Sequence, residues 1–185
     1  MRASNTALAS IMLAVAALVA GGLATEAPAG KRDHAWHFPI RGDHDYGGEQ
    51  GRFGVKRPDG SVHAGQDILA PCGTPLVAVH RARVLARSYS KATGYYVVLD
   101  AIGKHFDFVY THMKSPGRPG KGKVVKAGRR IGSVGATGSS INVCHLHFET
   151  WKGAWGKGKR IDPLKRLRRW DKHSKGEVVP VDQPQ

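Results

Sequence analysis

The sequence predicts an all-β fold. Between about His37 and Leu167, short β-prone runs are punctuated by Gly and Pro, and no long stretch repeats apolar residues at a 3.6-residue period. The intervening segments carry turn chemistry, as in Pro58-Asp59-Gly60, Pro71-Cys72-Gly73, Ile102-Gly103-Lys104 and Ser115-Pro116-Gly117.

The expected strands, in order, begin with Ser61 to Ile68. There the β-prone Val62, the internal Gly65 and the nearby Pro71 favour a strand or bent strand over a helix. Short apolar and β-branched runs follow at Pro75 to Val79, Ala82 to Ser88 and Tyr95 to Asp100. Phe106 to His112 alternates, which places Phe106, Phe108, Tyr110 and His112 on one, core-facing side. Arg130 to Val134 and Leu146 to Trp151 complete the set. One short helix is expected from Pro163, because Leu164, Leu167 and Trp170 fall on one face and the surrounding Lys and Arg residues on the other.

The chain of 185 residues is the size of one ordinary domain, and 41% hydrophobic residues suffice for a core. Its first residues read as an export signal: Arg2, an apolar run from Ile11 to Val19, then small residues up to Ala24. That run is too short and Ala-rich for a membrane span of ~20 residues. The expected organisation is a signal peptide over 1–24, a linker over 25–36, a catalytic domain over 37–170 and a polar tail over 171–185.

Losing the signal removes one charge, so the net charge falls only from +15 to +14. This excess predicts attraction to polyanions. For an exported protein the polyanions met first are anionic wall polymers and membrane surfaces, and no nucleic-acid recognition element accompanies the basic residues. Cys72 and Cys144 are the only cysteines, and an even pair outside the cytoplasm suggests a disulfide rather than thiolate ligands.

Five side chains point to chemistry. His145 and His147 are two apart, so a strand directs both imidazoles to one side. His63 and Asp67 are four apart and again share a side, with Gly65 between them leaving room for close approach. His112 ends the third run. A catalytic zinc takes three protein ligands and lowers the pKa of a bound water to ~7, while further imidazoles move protons and stabilise an oxyanion. Alternation alone leaves the His145 and His147 rings equivalent. His34, His37, His44, His80, His105 and His173 have no such company and receive no role.

These segments together resemble the lysostaphin-type, or LytM-like, zinc metallopeptidases, bacterial enzymes that cut peptide bonds in peptidoglycan. The family's His-x-x-x-Asp stands here as His63 to Asp67, its Tyr-x-His as Tyr110 to His112 and its His-Leu-His-Phe-Glu as His145 to Glu149. Connecting segments at 70–75, 93–98 and 132–138, and the ending Ile161-Asp162-Pro163, extend the likeness over roughly residues 37–167.

The resemblance implies an antiparallel β-sheet metallopeptidase fold of the duplicated hybrid motif type. It implies one Zn2+ on His63, Asp67 and His147, with His112 and His145 as unligated catalytic histidines. Glu149, on the face of His145 and His147, is expected to orient a ring. The implied protein is a monomeric endopeptidase, outside the cell or in the periplasm or wall, acting on stem peptides or cross-bridges. The alternative is a wall-binding or hydrolase-activating protein of the same fold, as in relatives that have lost ligands; none is lost here. Met113 replaces the usual Leu after the Tyr-x-His histidine, and Ser140 to Cys144 departs from the usual lead-in, which reshapes the groove there.

Overall fold

The computed structural model describes residues 35–172. The expected signal peptide, most of the linker, most of the tail, His34 and His173 lie outside the described residues.

The fold is built on one antiparallel sheet. In chain order the strands are β1 (Asp45–Tyr46), β2 (Gln66–Leu69), β3 (Pro75–Val77), β4 (Ala82–Ser90) and β5 (Gly94–Ala101). They continue with β6 (Phe106–Met113), β7 (Val124–Val125), β8 (Arg130–Ser133), β9 (His145–Lys152) and β10 (Lys159–Ile161), and α1 (Leu164–Asp171) is the last element among the described residues. The large sheet runs β1-β2-β9-β6-β5-β4-β7, with β10 also on β9, while β3 and β8 pair separately. Six of the seven expected strands lie within two residues of their predicted limits, and only the second half of the other, Ser61 to Ile68, is a strand. β1, β7 and β10 were not anticipated, being two or three residues long and too short to show a period.

Alternation assigns the two faces of the sheet. Leu146 and Phe148 of β9, Phe108 and Tyr110 of β6, and Val97 and Leu99 of β5 form a core with Ile131, Leu167 and Trp170. Helix α1 starts after Pro163, and Asp162 accepts the Leu164 N–H at 2.8 Å. Leu167 and Trp170 reach the core as its spacing predicts, and Trp170 stacks on Trp36 at 5.2 Å between ring centroids. Trp36 packs against this core, and Asp171 is buried.

Two expectations fail locally. Ser61 to Ile68 is not one strand: pairing with β9 starts at Gln66, and Val62 instead bridges to Lys56. Gly65 makes the bend between, where a Cβ would lie 2.5 Å from the Phe148 carbonyl oxygen. The second failure is His112. Tyr95 pairs with Met113 and Val97 with Tyr110, so β6 carries one extra residue, and His112 adopts φ 57°. This bulge resets the alternation. Met113 joins the core in place of His112, whose ring turns to the opposite side and lies 4.6 Å from the His145 ring.

Candidate metal centre and active site

β2 and β9 bring the first two groups together. Asp67 is directly opposite His147 in the register, so both side chains rise from one face. Asp67 Oδ1 lies 2.8 Å from His147 Nδ1 and 3.0 Å from His63 Nε2, and the two ring nitrogens are 2.8 Å apart.

A hydrogen bond behind the His63 ring and an ion pair behind the His147 ring favour the tautomer each would take as a metal ligand. His63 Nδ1 donates to the Arg52 carbonyl at 2.8 Å, which leaves Nε2 with its lone pair. His147 Nε2 faces Glu149 Oε1 at 3.5 Å, an attraction that keeps the proton on Nε2 and the lone pair on Nδ1. In these tautomers two nitrogen lone pairs and a carboxylate oxygen would converge on a bound cation; without one, a proton on the ring nitrogens serves the contacts to Asp67. His63, Asp67 and His147 form the metal-capable group of His, Cys, Asp or Glu among the described residues. Its nitrogen and oxygen donors suit zinc with an open position, since the set supplies three ligands.

The charges follow from the same contacts. Burial opposes ionisation of Asp67, but hydrogen bonds from His147 and His63 outweigh it and hold the carboxyl well below the usual range. Burial also opposes the charged form of His147, and Asp67 and Glu149 outweigh it, raising that ring. Glu149 is buried; its Oε2 accepts from Trp151 Nε1 at 2.7 Å and from Arg160 Nε at 3.3 Å. Glu149 thus sits behind His147, where the sequence reading expected it to orient a ring.

His112 and His145 stand beside this group without joining it. His112 Nδ1 donates to the Thr137 carbonyl at 2.9 Å, and His145 Nδ1 to the Val143 carbonyl at 2.8 Å. Each ring therefore keeps Nε2 as its basic atom. Burial, offset in part by the bond to Thr137, lowers the pKa of His112 to about 4, and burial likewise lowers that of His145. Both rings are neutral at pH 7. The 136–139 loop that holds His112 packs against Gly94, where a Cβ would come 2.0 Å from the Thr137 oxygen. The Cys72–Cys144 disulfide is present and ties the turn after β2 to the residue preceding His145.

All five residues line one groove of about 800 Å3. The sequence reading missed one further participant. Arg57 Nη2 donates to Asp67 Oδ2 at 3.1 Å, so the oxygen that faces away from the histidines is held by a guanidinium. Arg57 sits six residues before His63 in a turn closed by Arg57 N–H to the Ser61 carbonyl at 2.8 Å, and no local spacing announces it.

Residues 61–163 match Peptidase family M23. The chain belongs to that family. The M23 match takes in the five histidine and aspartate positions and Glu149, and leaves Arg57 just outside. Over 151 residues the chain is 27% identical to the L-Ala-D-Glu endopeptidase of Bacillus subtilis (strain 168), covering 76% of this chain and 45% of that protein. Over 89 residues it is 36% identical to peptidoglycan DD-endopeptidase ShyC of Vibrio cholerae, covering 48% of this chain and 20% of that protein. It thus spans less than half the length of either relative. The catalytic domain of lysostaphin from Staphylococcus simulans superposes with a TM-score of 0.58 at 26% identity, over 68% of this chain and 92% of that domain. The fold is that of the lysostaphin-type M23 catalytic domain. Among the described residues, no helix is long and apolar enough to cross a membrane.

Proposed function

We propose that this protein is an exported zinc endopeptidase that hydrolyses amide bonds in the peptides or cross-links of peptidoglycan. The observation that carries the reading is the convergence of His63 Nε2, Asp67 Oδ1 and His147 Nδ1 within 3.0 Å beside two neutral imidazoles. Peptidoglycan as substrate is supported by the likeness to the peptidoglycan DD-endopeptidase of Vibrio cholerae.

His63, Asp67 and His147 would hold one zinc ion, which would supply Lewis-acid polarisation of the scissile carbonyl and lower the pKa of a water toward neutral. The chain's own residues do the rest. Neutral His145 and His112, with Nε2 basic, take a proton from the attacking water and return it to the leaving amine. Once protonated, either ring donates a hydrogen bond to charge developing on the carbonyl oxygen. Glu149 and the Arg52 carbonyl keep the ligand rings in the required tautomers, and Arg57 holds Asp67 so that one oxygen is presented.

Incubation of the purified protein with peptidoglycan, with and without a zinc chelator, tests the proposal. New amino termini should appear in released muropeptides and vanish on chelation. Zinc-loaded protein that releases nothing across a range of pH and salt overturns it. The intact His112 and His145 argue against the non-catalytic alternative, which an unchanged phenotype for His145→Ala in the producing cell would support.

A further inference from the structure

A second concave site lies at the other edge of the sheet. Arg87, Arg118, Lys126, Arg129 and Arg130 line a cleft of about 830 Å3 together with Pro119, Gly120, Val124 and Val125. The cleft has five cationic side chains and neither a carboxylate nor an aromatic ring in its lining. None of the six ion pairs among the described residues involves these five cations. β6 and β5 separate β4, which carries Arg87, from β9 of the metal group. At ~4.8 Å per strand the two sites are on the order of 14 Å apart.

The cations are arranged rather than scattered. Arg87 Nη1 donates to the Gly117 carbonyl at 3.0 Å and Arg130 Nε to the Gly132 carbonyl at 3.1 Å. Each bond anchors one edge of a guanidinium and leaves its other N–H groups available. Five like charges held on one concavity give it a strongly positive potential. A ligand with several anionic groups in series engages more of them at once than a single phosphate, which carries at most two charges.

We infer that this cleft binds a base-free polyol phosphodiester chain, several phosphates at a time. The charged oxygens of a phosphodiester project sideways from its chain. Such a chain can lie along the cleft while Arg87 approaches from β4 and Arg118, Lys126 and Arg129 from the 118–129 segment. Single-stranded nucleic acid fits less well, because its binding sites supply aromatic platforms for the bases and this lining supplies none. The attraction to polyanions expected from the net charge thereby acquires a location distinct from the hydrolytic groove. It does not depend on the protein's being a peptidase.

The test is calorimetric titration of the full chain with poly(glycerol phosphate) of fixed length, at two salt concentrations. Single-stranded DNA of equal phosphate number and anionic phospholipid vesicles serve as comparators. R118E/R129E should weaken polymer binding by at least about tenfold and flatten the dependence of log affinity on log salt by about 1.4, at ~0.7 per lost phosphate contact. K165E/R169E, an equal charge change on exposed positions of α1, should cost less than about threefold. R118Q/R129Q should weaken binding in the same direction and covers the case of a reversal variant that does not fold. Equal losses from the cleft and helix pairs would show diffuse attraction and overturn the inference. So would DNA binding as tightly as the polymer, or binding to vesicles alone.

Discussion

Asp67 and His147 face each other across the β2–β9 pair, with Oδ1 and Nδ1 2.8 Å apart. Every further property of the centre builds on this pair. It fixes which oxygen of the aspartate and which nitrogen of the histidine face inward, and it turns Asp67 Oδ2 toward Arg57. His63, reaching over the bend at Gly65, completes the group.

Arg57 is expected to position Asp67 rather than touch the reaction. Arg57→Gln should lower zinc affinity by about tenfold, the range for groups that orient a ligand. Chelator competition measures this. Arg57→Lys should restore part of the affinity, since an ammonium still attracts Oδ2. Unchanged zinc affinity in Arg57→Gln would remove Arg57 from the account.

The pH response follows from His147. Its raised pKa means that metal-free His147 is still protonated at pH values where an ordinary histidine has begun to lose its proton. That proton must leave before zinc enters. Apparent zinc affinity should therefore fall about tenfold per pH unit, per displaced proton, as pH drops below the His147 pKa. His112 stays neutral down to about pH 4, so it does not set the acid limb of activity. Raising the zinc concentration should then move that limb to lower pH. A limb that ignores zinc would contradict this.

A clamp outside the groove lining joins β1 to α1. Asp171 Oδ2 accepts from Tyr46 at 3.2 Å and pairs with buried His44 at 3.3 Å, linking the strand at Asp45–Tyr46 to the C-terminal helix. Asp171→Ala should cost about 1–3 kcal/mol, because buried polar groups lose their acceptor. Thermal unfolding should register a drop of several degrees in Tm. The zinc content of the folded protein should not change.

The disulfide spans a sequence separation of 72 residues, so it constrains the unfolded chain strongly. Reduction should destabilise the protein by about 2–5 kcal/mol. Cys144 adjoins His145, so activity should fall more steeply on reduction than zinc binding does. Parallel activity and metal assays on the reduced protein check this.

Much of the centre was legible because its information is local. The spacing of His63 and Asp67, the His145-x-His147 alternation and the Tyr110 to His112 run each lie within one short segment. The side to which His112 points was not legible, because its bulge arises from the pairing of β6 with β5, and Met113 takes the core position that alternation gave to His112. Arg57 was invisible for a related reason: its partner is brought to it only by the bend after Ser61. The lone-pair arrangement depends on the Arg52, Thr137 and Val143 carbonyls, and a main-chain carbonyl leaves no mark in a sequence. The basic cleft draws on three segments whose convergence is purely tertiary. Net charge announced its sign and nothing of its place.

The central claim is that His147 and His145, two residues apart on one strand face, do different work. Metal analysis paired with peptidoglycan hydrolysis tests it directly on His145→Ala and His147→Ala, with folding verified by circular dichroism. The account predicts one zinc per chain in the unsubstituted protein and in His145→Ala, with hydrolysis in the latter reduced by roughly 10²- to 10⁴-fold. It predicts that His147→Ala loses both zinc and activity. Zinc lost from His145→Ala, or retained by an active His147→Ala, would contradict it.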